Sequence, residues 1–125
     1  MMTTDAVFVV DDDASVRRAI ERLLHSAGYA VRSFASAYEL IAAMRTWRPR
    51  CLIIDVRMPD CTGLELADML QAAPDPAPVI FITGHGDIEM AVRAMKTGAV
   101  DFLAKPFDDE ALLGAIAHAV RQVEP

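Results

Sequence analysis

The sequence predicts an α/β protein with a single open, doubly wound sheet of five parallel strands. Short apolar runs alternate with segments of helical periodicity about five times along the chain. Several of these runs are apolar throughout, so helices must cover both faces of the sheet. At 125 residues the chain is long enough for one domain. A closed barrel of such units needs about eight of them, so the sheet is expected to be open.

The first three strands are predicted at Val7–Val10, Ala30–Phe34 and Cys51–Ile54. Gly28 follows the first helix in the position that a C-terminal cap prefers. The first helix carries an apolar stripe of Val16, Ile20, Leu23, Leu24 and Ala27. The second helix has Leu40, Ile41 and Met44 inward, and the third helix is predicted at Leu64–Leu70.

The last two strands are predicted at Val79–Ile82 and Val100–Leu103. Asp87 is a suitable cap for the fourth helix, which Gly98 ends, and Asp108 or Asp109 caps the fifth. In the fourth helix we expect an inward face of Ile88, Ala91, Val92 and Met95 and an outward face of Glu89, Arg93 and Lys96. The fifth helix carries Leu112, Leu113, Ile116 and Val120.

Composition and charge exclude several classes of protein. No apolar run reaches the roughly 20 residues of a membrane span, and the N-terminus lacks the features of a signal peptide, so we expect a cytoplasmic protein. A net charge of −6 argues against nucleic acid binding by this chain alone. Cys51 and Cys61 have neither metal-site nor disulfide spacing and are expected to be reduced thiols.

Polar residues follow four of the predicted strands. They are Asp11-Asp12-Asp13, Asp55, Thr83-Gly84 and Lys105-Pro106. Open α/β sheets bind ligands beyond the carboxyl ends of their strands, so these side chains are predicted to converge on one edge.

This combination of side chains indicates phosphoryl chemistry with a divalent metal. Clustered carboxylates repel each other unless a cation compensates them, and oxygen ligands suit Mg2+ before Mn2+. Mg2+ usually shares its ligands with phosphoryl oxygens, and a carboxylate such as Asp55 can be the nucleophile that forms an aspartyl-phosphate. Lys105 and the Thr83 hydroxyl would then hold phosphoryl oxygens that the metal leaves free.

Each of these residues also has an ordinary structural interpretation. The acidic triplet could cap the first helix, but capping needs only one acid, Asp12 or Asp13. Asp55 could be a turn residue, although Met58-Pro59-Asp60 already supplies a turn. Thr83 or Lys105 alone would be unremarkable at a strand end or on a surface.

The motifs together resemble the receiver domain of bacterial response regulators. They are Val9-Val10-Asp11-Asp12, Asp55-Val56-Arg57-Met58-Pro59-Asp60 with Gly63, Thr83-Gly84 and Lys105-Pro106-Phe107, and the resemblance covers about Ala6 to Val123. Longer motifs are similar to the FixJ-type branch: Val10-Asp11-Asp12-Asp13, Arg57-Met58-Pro59-Asp60, Ile82-Thr83-Gly84-His85-Gly86-Asp87 and Gly98-Ala99-Val100-Asp101-Phe102. The resemblance implies a flavodoxin-like (βα)5 fold with strand order 2-1-3-4-5.

The resemblance implies a role for each matching acid. Asp55 would be the phosphoacceptor. Asp12 would ligate Mg2+ directly, together with the Asp55 carboxylate and the backbone carbonyl of Arg57, and Asp11 would act on the metal mainly through water. Asp13 lies outside the acidic pair of the family and is expected to cap the helix.

It likewise implies the roles of the residues at the later strand ends. Lys105 would pair with the phosphoryl group, and Lys105-Pro106 would carry a cis peptide. Thr83 would donate its hydroxyl to the phosphoryl group, while Phe102 would be the aromatic switch residue that turns inward with it. The resemblance gives His85 no catalytic role. Gly84 adds no side-chain bulk beside Thr83, so the aspartyl-phosphate should be open to water.

The expected function is that of a signalling phosphoacceptor, which assists only its own phosphorylation and dephosphorylation and is not otherwise an enzyme. It would take the phosphoryl group from a sensor histidine kinase and signal through the fourth helix, fifth strand and fifth helix. The resemblance also implies that a homodimer can form on phosphorylation, through the fourth helix and fifth strand. FixJ-type regulators carry a C-terminal helix-turn-helix domain, and Gln122-Val123-Glu124-Pro125 reads like the start of its linker. We therefore expect residues 1–125 to be the receiver of a longer regulator, with a stand-alone receiver as the alternative.

Two other functions are weighed against this one. A Mg2+-dependent phosphohydrolase with an aspartyl nucleophile would need a second catalytic acid just after Asp55, where Arg57 stands, and usually a cap domain. An interaction module that has lost phosphorylation would not be expected to keep all five site residues.

Overall fold

The computed structural model describes residues 2–58, 61–73, 75–84 and 88–123. The strands are β1 (Met2–Thr3), β2 (Val7–Val10), β3 (Val31–Phe34), β4 (Trp47–Arg48), β5 (Cys51–Asp55), β6 (Val79–Thr83) and β7 (Asp101–Ala104). The helices are α1 (Ala14–Ser26), α2 (Ala37–Met44), α3 (Gly63–Gln71), α4 (Ile88–Lys96) and α5 (Asp109–Val123).

Five strands form one parallel sheet in the order β3-β2-β5-β6-β7. These are the five predicted strands, so the predicted order 2-1-3-4-5 is confirmed. Every residue of β2, β5 and β6 is buried, because the sheet is covered on both faces. One core contains Ile20 of α1 and Ile116 of α5, and the other contains Leu40 of α2 and Leu66 of α3. The doubly wound architecture is therefore confirmed as well.

The ends of the helices follow local sequence signals. Asp13 is the N-cap of α1 and accepts a hydrogen bond from the backbone N–H of Ser15, so this acid caps the helix as expected. Gly28 after α1 and Gly98 after α4 have φ of 90° and 95°, a conformation that glycine adopts without steric cost. The expected cap of α4, Asp87, lies outside the described residues.

The inward face predicted for α4 is wrong in part. The side chains of Val92 and Met95 are 48% and 44% exposed, and among residues 89–96 of the helix the buried one is Ala94. The apolar residues of this helix form a wide arc opposite Glu89, Arg93 and Lys96, so the periodicity alone does not tell which of them face the sheet. The small Ala94 faces the sheet, and two larger apolar side chains are left at the surface.

The sequence also gave no sign of a second small sheet, in which β1 pairs with β4 in parallel. Two-residue strands are too short to show any periodicity. Among the described residues, no helix is both long and apolar enough to span a membrane.

Candidate functional site

The parallel sheet brings the predicted site residues to one edge. Asp11 follows β2 directly, Asp55 is the last residue of β5, Thr83 is the last residue of β6, and Lys105 follows β7. The sheet continues its pairing up to this edge, with Asp55 opposite Ile82. The prediction that these residues converge is therefore met by the fold.

Lys105 links two of the acids. Its Nζ lies 2.8 Å from Asp11 Oδ2 and 3.6 Å from Asp55 Oδ2. The Asp11 side chain is fully buried, and those of Asp55 and Lys105 are 7% and 21% exposed. The ammonium thus compensates two carboxylates that are largely withdrawn from water.

Asp12 completes a group of three acids. Asp11, Asp12 and Asp55 each offer a carboxylate oxygen, and these oxygens lie within 4.8 Å of one another. Asp12 is exposed, whereas the other two acids are buried. A set of hard oxygen ligands with one solvent-facing side fits a Mg2+ ion that keeps some of its waters.

The electrostatics of Asp55 and Lys105 follow from their burial and their mutual distance. Burial, and after it the Asp11 carboxylate, raise the pKa of Asp55 to about 6, although the Arg57 N–H and Lys105 oppose the change. That N–H donates to Asp55 Oδ1 at 3.2 Å. Burial lowers the pKa of Lys105, but the Asp11 carboxylate bonded to it and Asp55 nearby outweigh burial and raise it overall. Lys105 is therefore a cation at neutral pH.

Thr83 and Phe102 lie on the neighbouring strands β6 and β7. Thr83 is buried, and its backbone carbonyl accepts a hydrogen bond of 2.6 Å from the Lys105 N–H. Phe102 is half-buried and packs against the core that contains Phe81, its partner across the ladder. The Lys105–Pro106 peptide bond is cis, the isomer expected for it. His85 lies outside the described residues.

Two contacts at this edge were not predicted. The N–H of Gly63 donates to the carbonyl of Val56 at 2.7 Å, and a Cβ at Gly63 would lie 2.5 Å from the Asp55 carbonyl oxygen. The guanidinium of Arg17 donates to the Asp11 carbonyl at 2.6 Å. In the sequence, Gly63 stands out only as part of a motif. Nothing in the sequence indicates the contact of Arg17 except its position one helical turn after Asp13.

The model of the response regulator receiver domain matches residues 7–117. This chain belongs to the response regulator receiver domain family. The receiver domain is 45% identical, over its whole length, to the transcriptional regulatory protein FixJ of Bradyrhizobium diazoefficiens, of which it covers 61%. The similarity to the FixJ-type branch is thereby confirmed.

Solved structures agree with this assignment. The receiver domain matches full-length FixJ from B. japonicum with a TM-score of 0.89 and 44% identity, covering 99% of this chain and 61% of that one. It matches the beryllofluoride-activated NtrC4 receiver domain dimer with a TM-score of 0.89 and 34% identity, covering 97% of this chain and 100% of that one. The chain therefore spans about three fifths of FixJ and all of an isolated receiver.

Proposed function

We propose that Asp55 is the phosphoacceptor of a two-component response regulator and takes its phosphoryl group from a phosphohistidine of a sensor histidine kinase. The observation that carries this proposal is the Asp55 carboxylate at the sheet edge, 3.6 Å from the Lys105 ammonium and grouped with Asp11 and Asp12. An activated carboxylate of this kind is a nucleophile that forms an acyl phosphate.

The transfer is a displacement at phosphorus. An oxygen of Asp55 forms a bond to phosphorus, the N–P bond of the phosphohistidine breaks, and its electron pair returns to the imidazole nitrogen. A pKa of about 6 leaves Asp55 mostly ionised at neutral pH, so no separate base is required. Lys105 leaves Asp11 to pair with the phosphoryl oxygens, and the Thr83 hydroxyl donates to them.

The acidic group would hold Mg2+, or Mn2+ in its place. Asp12, the Asp55 carboxylate and the backbone carbonyl of Arg57 are the proposed direct ligands, with Asp11 acting mainly through water. When bound, the ion would neutralise the acids and the incoming phosphoryl charge. The Arg57 N–H already bonds to Asp55 Oδ1, which holds the loop that carries this carbonyl beside the acids.

An apolar groove beside the site supports the proposal that the phosphoryl donor is a protein. Val16 and Ala19 of α1 line it together with Lys105, Pro106 and Phe107. A donor helix in this groove would present its phosphohistidine next to the Lys105 ammonium. We therefore assign the kinase to this face.

Phosphorylation is proposed to switch the α4–β7–α5 face. Movement of Thr83 toward the phosphoryl group would make room for Phe102 to turn inward, and the phosphorylated protein would favour that state. The exposed Val92 and Met95 of α4 lie on this face. Apolar side chains of this kind are suited to a symmetric interface, and the NtrC4 receiver forms a dimer when activated by beryllofluoride. We propose a homodimer through α4 and β7 on phosphorylation.

The output is proposed to be transcription. FixJ is a transcriptional regulatory protein and extends well beyond the part that matches this chain. Residues 1–125, with a core of about 6–123, would be the receiver of a cytoplasmic regulator whose C-terminal helix-turn-helix domain binds DNA. With a net charge of −6, the receiver by itself is not expected to bind nucleic acid.

Mass spectrometry after incubation with acetyl phosphate and Mg2+ tests the phosphoacceptor. We expect one added phosphoryl group on the wild type and none on Asp55→Asn, with the circular dichroism of the variant unchanged. Labelling of the variant to the wild-type extent would place the acceptor on another residue. A wild type that takes up no phosphoryl group would refute the proposed function as a whole.

A further inference from the structure

We propose that Arg17 is a positioning residue for the metal site, a role that rests on the proposed function. Its guanidinium donates through Nη1 to the backbone carbonyl of Asp11 at 2.6 Å. That carbonyl belongs to the peptide unit between Asp11 and Asp12, the two acids that must face one ion. Because a peptide unit is planar, a fixed carbonyl direction also fixes where the chain enters Asp12.

The acids need such a restraint because they repel each other. The carboxylate oxygens of Asp11, Asp12 and Asp55 lie within 4.8 Å of one another, and Asp12 is exposed. An exposed acid on a connecting segment would rotate away from two like charges if the backbone allowed it. Arg17 opposes this rotation at the peptide unit itself.

Both carboxylate oxygens of Asp11 also accept hydrogen bonds, so the contact from Arg17 completes the set of contacts that restrain this residue. Asp11 Oδ1 accepts the backbone N–H of Asp13 at 2.9 Å, and Oδ2 accepts Lys105 Nζ at 2.8 Å. The ammonium must leave Oδ2 when it pairs with a phosphoryl group, whereas the contact from Arg17 is to the backbone and can persist. Arg17 therefore holds the Asp11–Asp12 peptide through the reaction.

A positioning role for Arg17 and the charge of Arg17 predict opposite effects of its replacement on the affinity for metal. A cation beside an acidic site disfavours Mg2+, so its removal would tighten metal binding if charge were all that mattered. If Arg17 positions the acids, its removal loosens the site and weakens binding. Loss of a residue that orients metal ligands commonly costs about 10–100-fold in affinity.

The experiment measures Mn2+ affinity by electron paramagnetic resonance and Mg2+ affinity by calorimetry, without any phosphoryl donor. The variants are Arg17→Met, Arg17→Lys and the control Arg18→Met. Arg18 is the next residue of α1 and is exposed, so the control removes the same charge from the same helix turn. We expect affinity to fall about tenfold in Arg17→Met, to recover in part in Arg17→Lys, and to stay level or rise slightly in Arg18→Met.

A second readout separates positioning from stability. Phosphorylation by acetyl phosphate at increasing Mg2+ should show a higher half-saturating concentration for Arg17→Met but nearly the wild-type rate at saturation. Affinity that is unchanged or higher in Arg17→Met would overturn the proposal, as would an equal loss in Arg18→Met. A wild type that binds metal and is phosphorylated would leave the proposed function intact in either case.

Discussion

Replacement of Asp55 by asparagine should stabilise the metal-free protein at neutral pH. Burial and the Asp11 carboxylate raise the pKa of Asp55 from 3.8 to about 6, so the ionised form is disfavoured in the folded state. The side chain is 7% exposed, so water screens this effect little. At about 1.36 kcal/mol for each pH unit, ionised Asp55 costs the fold about 3 kcal/mol, which asparagine avoids.

The raised pKa of Asp55 determines how the stability difference between the wild type and Asp55→Asn depends on pH. A carboxyl whose folded pKa is raised stabilises the fold fully below its unfolded pKa of 3.8, and this stability is lost as pH rises to about 6. The advantage of Asp55→Asn should therefore be below about 1 kcal/mol at pH 4 and near 3 kcal/mol above pH 7. In a chain of this size the larger figure corresponds to about 10 °C in Tm.

Urea unfolding of the wild type and Asp55→Asn between pH 4 and pH 8, without divalent metal, measures this difference. Asp68→Asn is the matched control, because Asp68 is an exposed acid of α3 and its replacement removes the same charge. The control should stay within about 0.5 kcal/mol of the wild type. A gap between wild type and Asp55→Asn that stays constant from pH 4 to pH 8 would refute the reasoning. Saturating Mg2+ should narrow the gap, since a bound cation compensates the wild-type carboxylate.

Three further predictions concern the surroundings of Asp55 and the proposed dimer interface. Gly63→Ala should destabilise the fold by about 1–3 kcal/mol in urea, because the new methyl group would lie 2.5 Å from the Asp55 carbonyl oxygen; an unchanged unfolding midpoint would show that the loop can shift freely. Lys105→Met should enlarge the Mg2+-induced rise in Tm, because the ammonium competes with a metal for the acids, and should slow phosphorylation by acetyl phosphate; a smaller metal-induced rise would contradict this competition. Val92→Glu should keep the protein monomeric in sedimentation velocity with beryllofluoride, whereas Met69→Glu, which alters an exposed methionine of α3, should leave dimerisation intact; dimers of equal strength in both variants would move the interface away from α4.

Local sequence patterns predicted those parts of the structure that depend on one residue or one short run of residues. The buried strands β2, β5 and β6 are apolar at nearly every position, so their covering by helices on both sides followed from sequence alone. The acidic triplet before an apolar helical stripe predicted Asp12 or Asp13 as the cap, and the resemblance to receiver domains favoured Asp13, which is the cap in the structure. The order of the strands came from the resemblance to receiver domains, since alternation of elements does not determine it.

Contacts across the loop between two consecutive elements were beyond such patterns. The bond from Arg17 to the Asp11 carbonyl depends on how α1 leaves β2, and side-chain spacing does not report which backbone atom a guanidinium reaches. The close approach of Gly63 to the end of β5 depends in the same way on the path of the intervening loop. The first contact holds the Asp11 backbone and the second lies beside the Asp55 backbone, so the motifs identified the acids but not the contacts around their backbone.

The helix face that was predicted wrongly, on α4, bears on the proposed homodimer. Val92 and Met95 lie at the surface of α4, although burial of such side chains contributes about 1.5–3 kcal/mol each. A helix that leaves them exposed forgoes that stability unless another surface covers them, and an α4–β7 homodimer would do so. We propose that the change at Phe102 on phosphorylation completes this interface, so that dimerisation depends on phosphorylation.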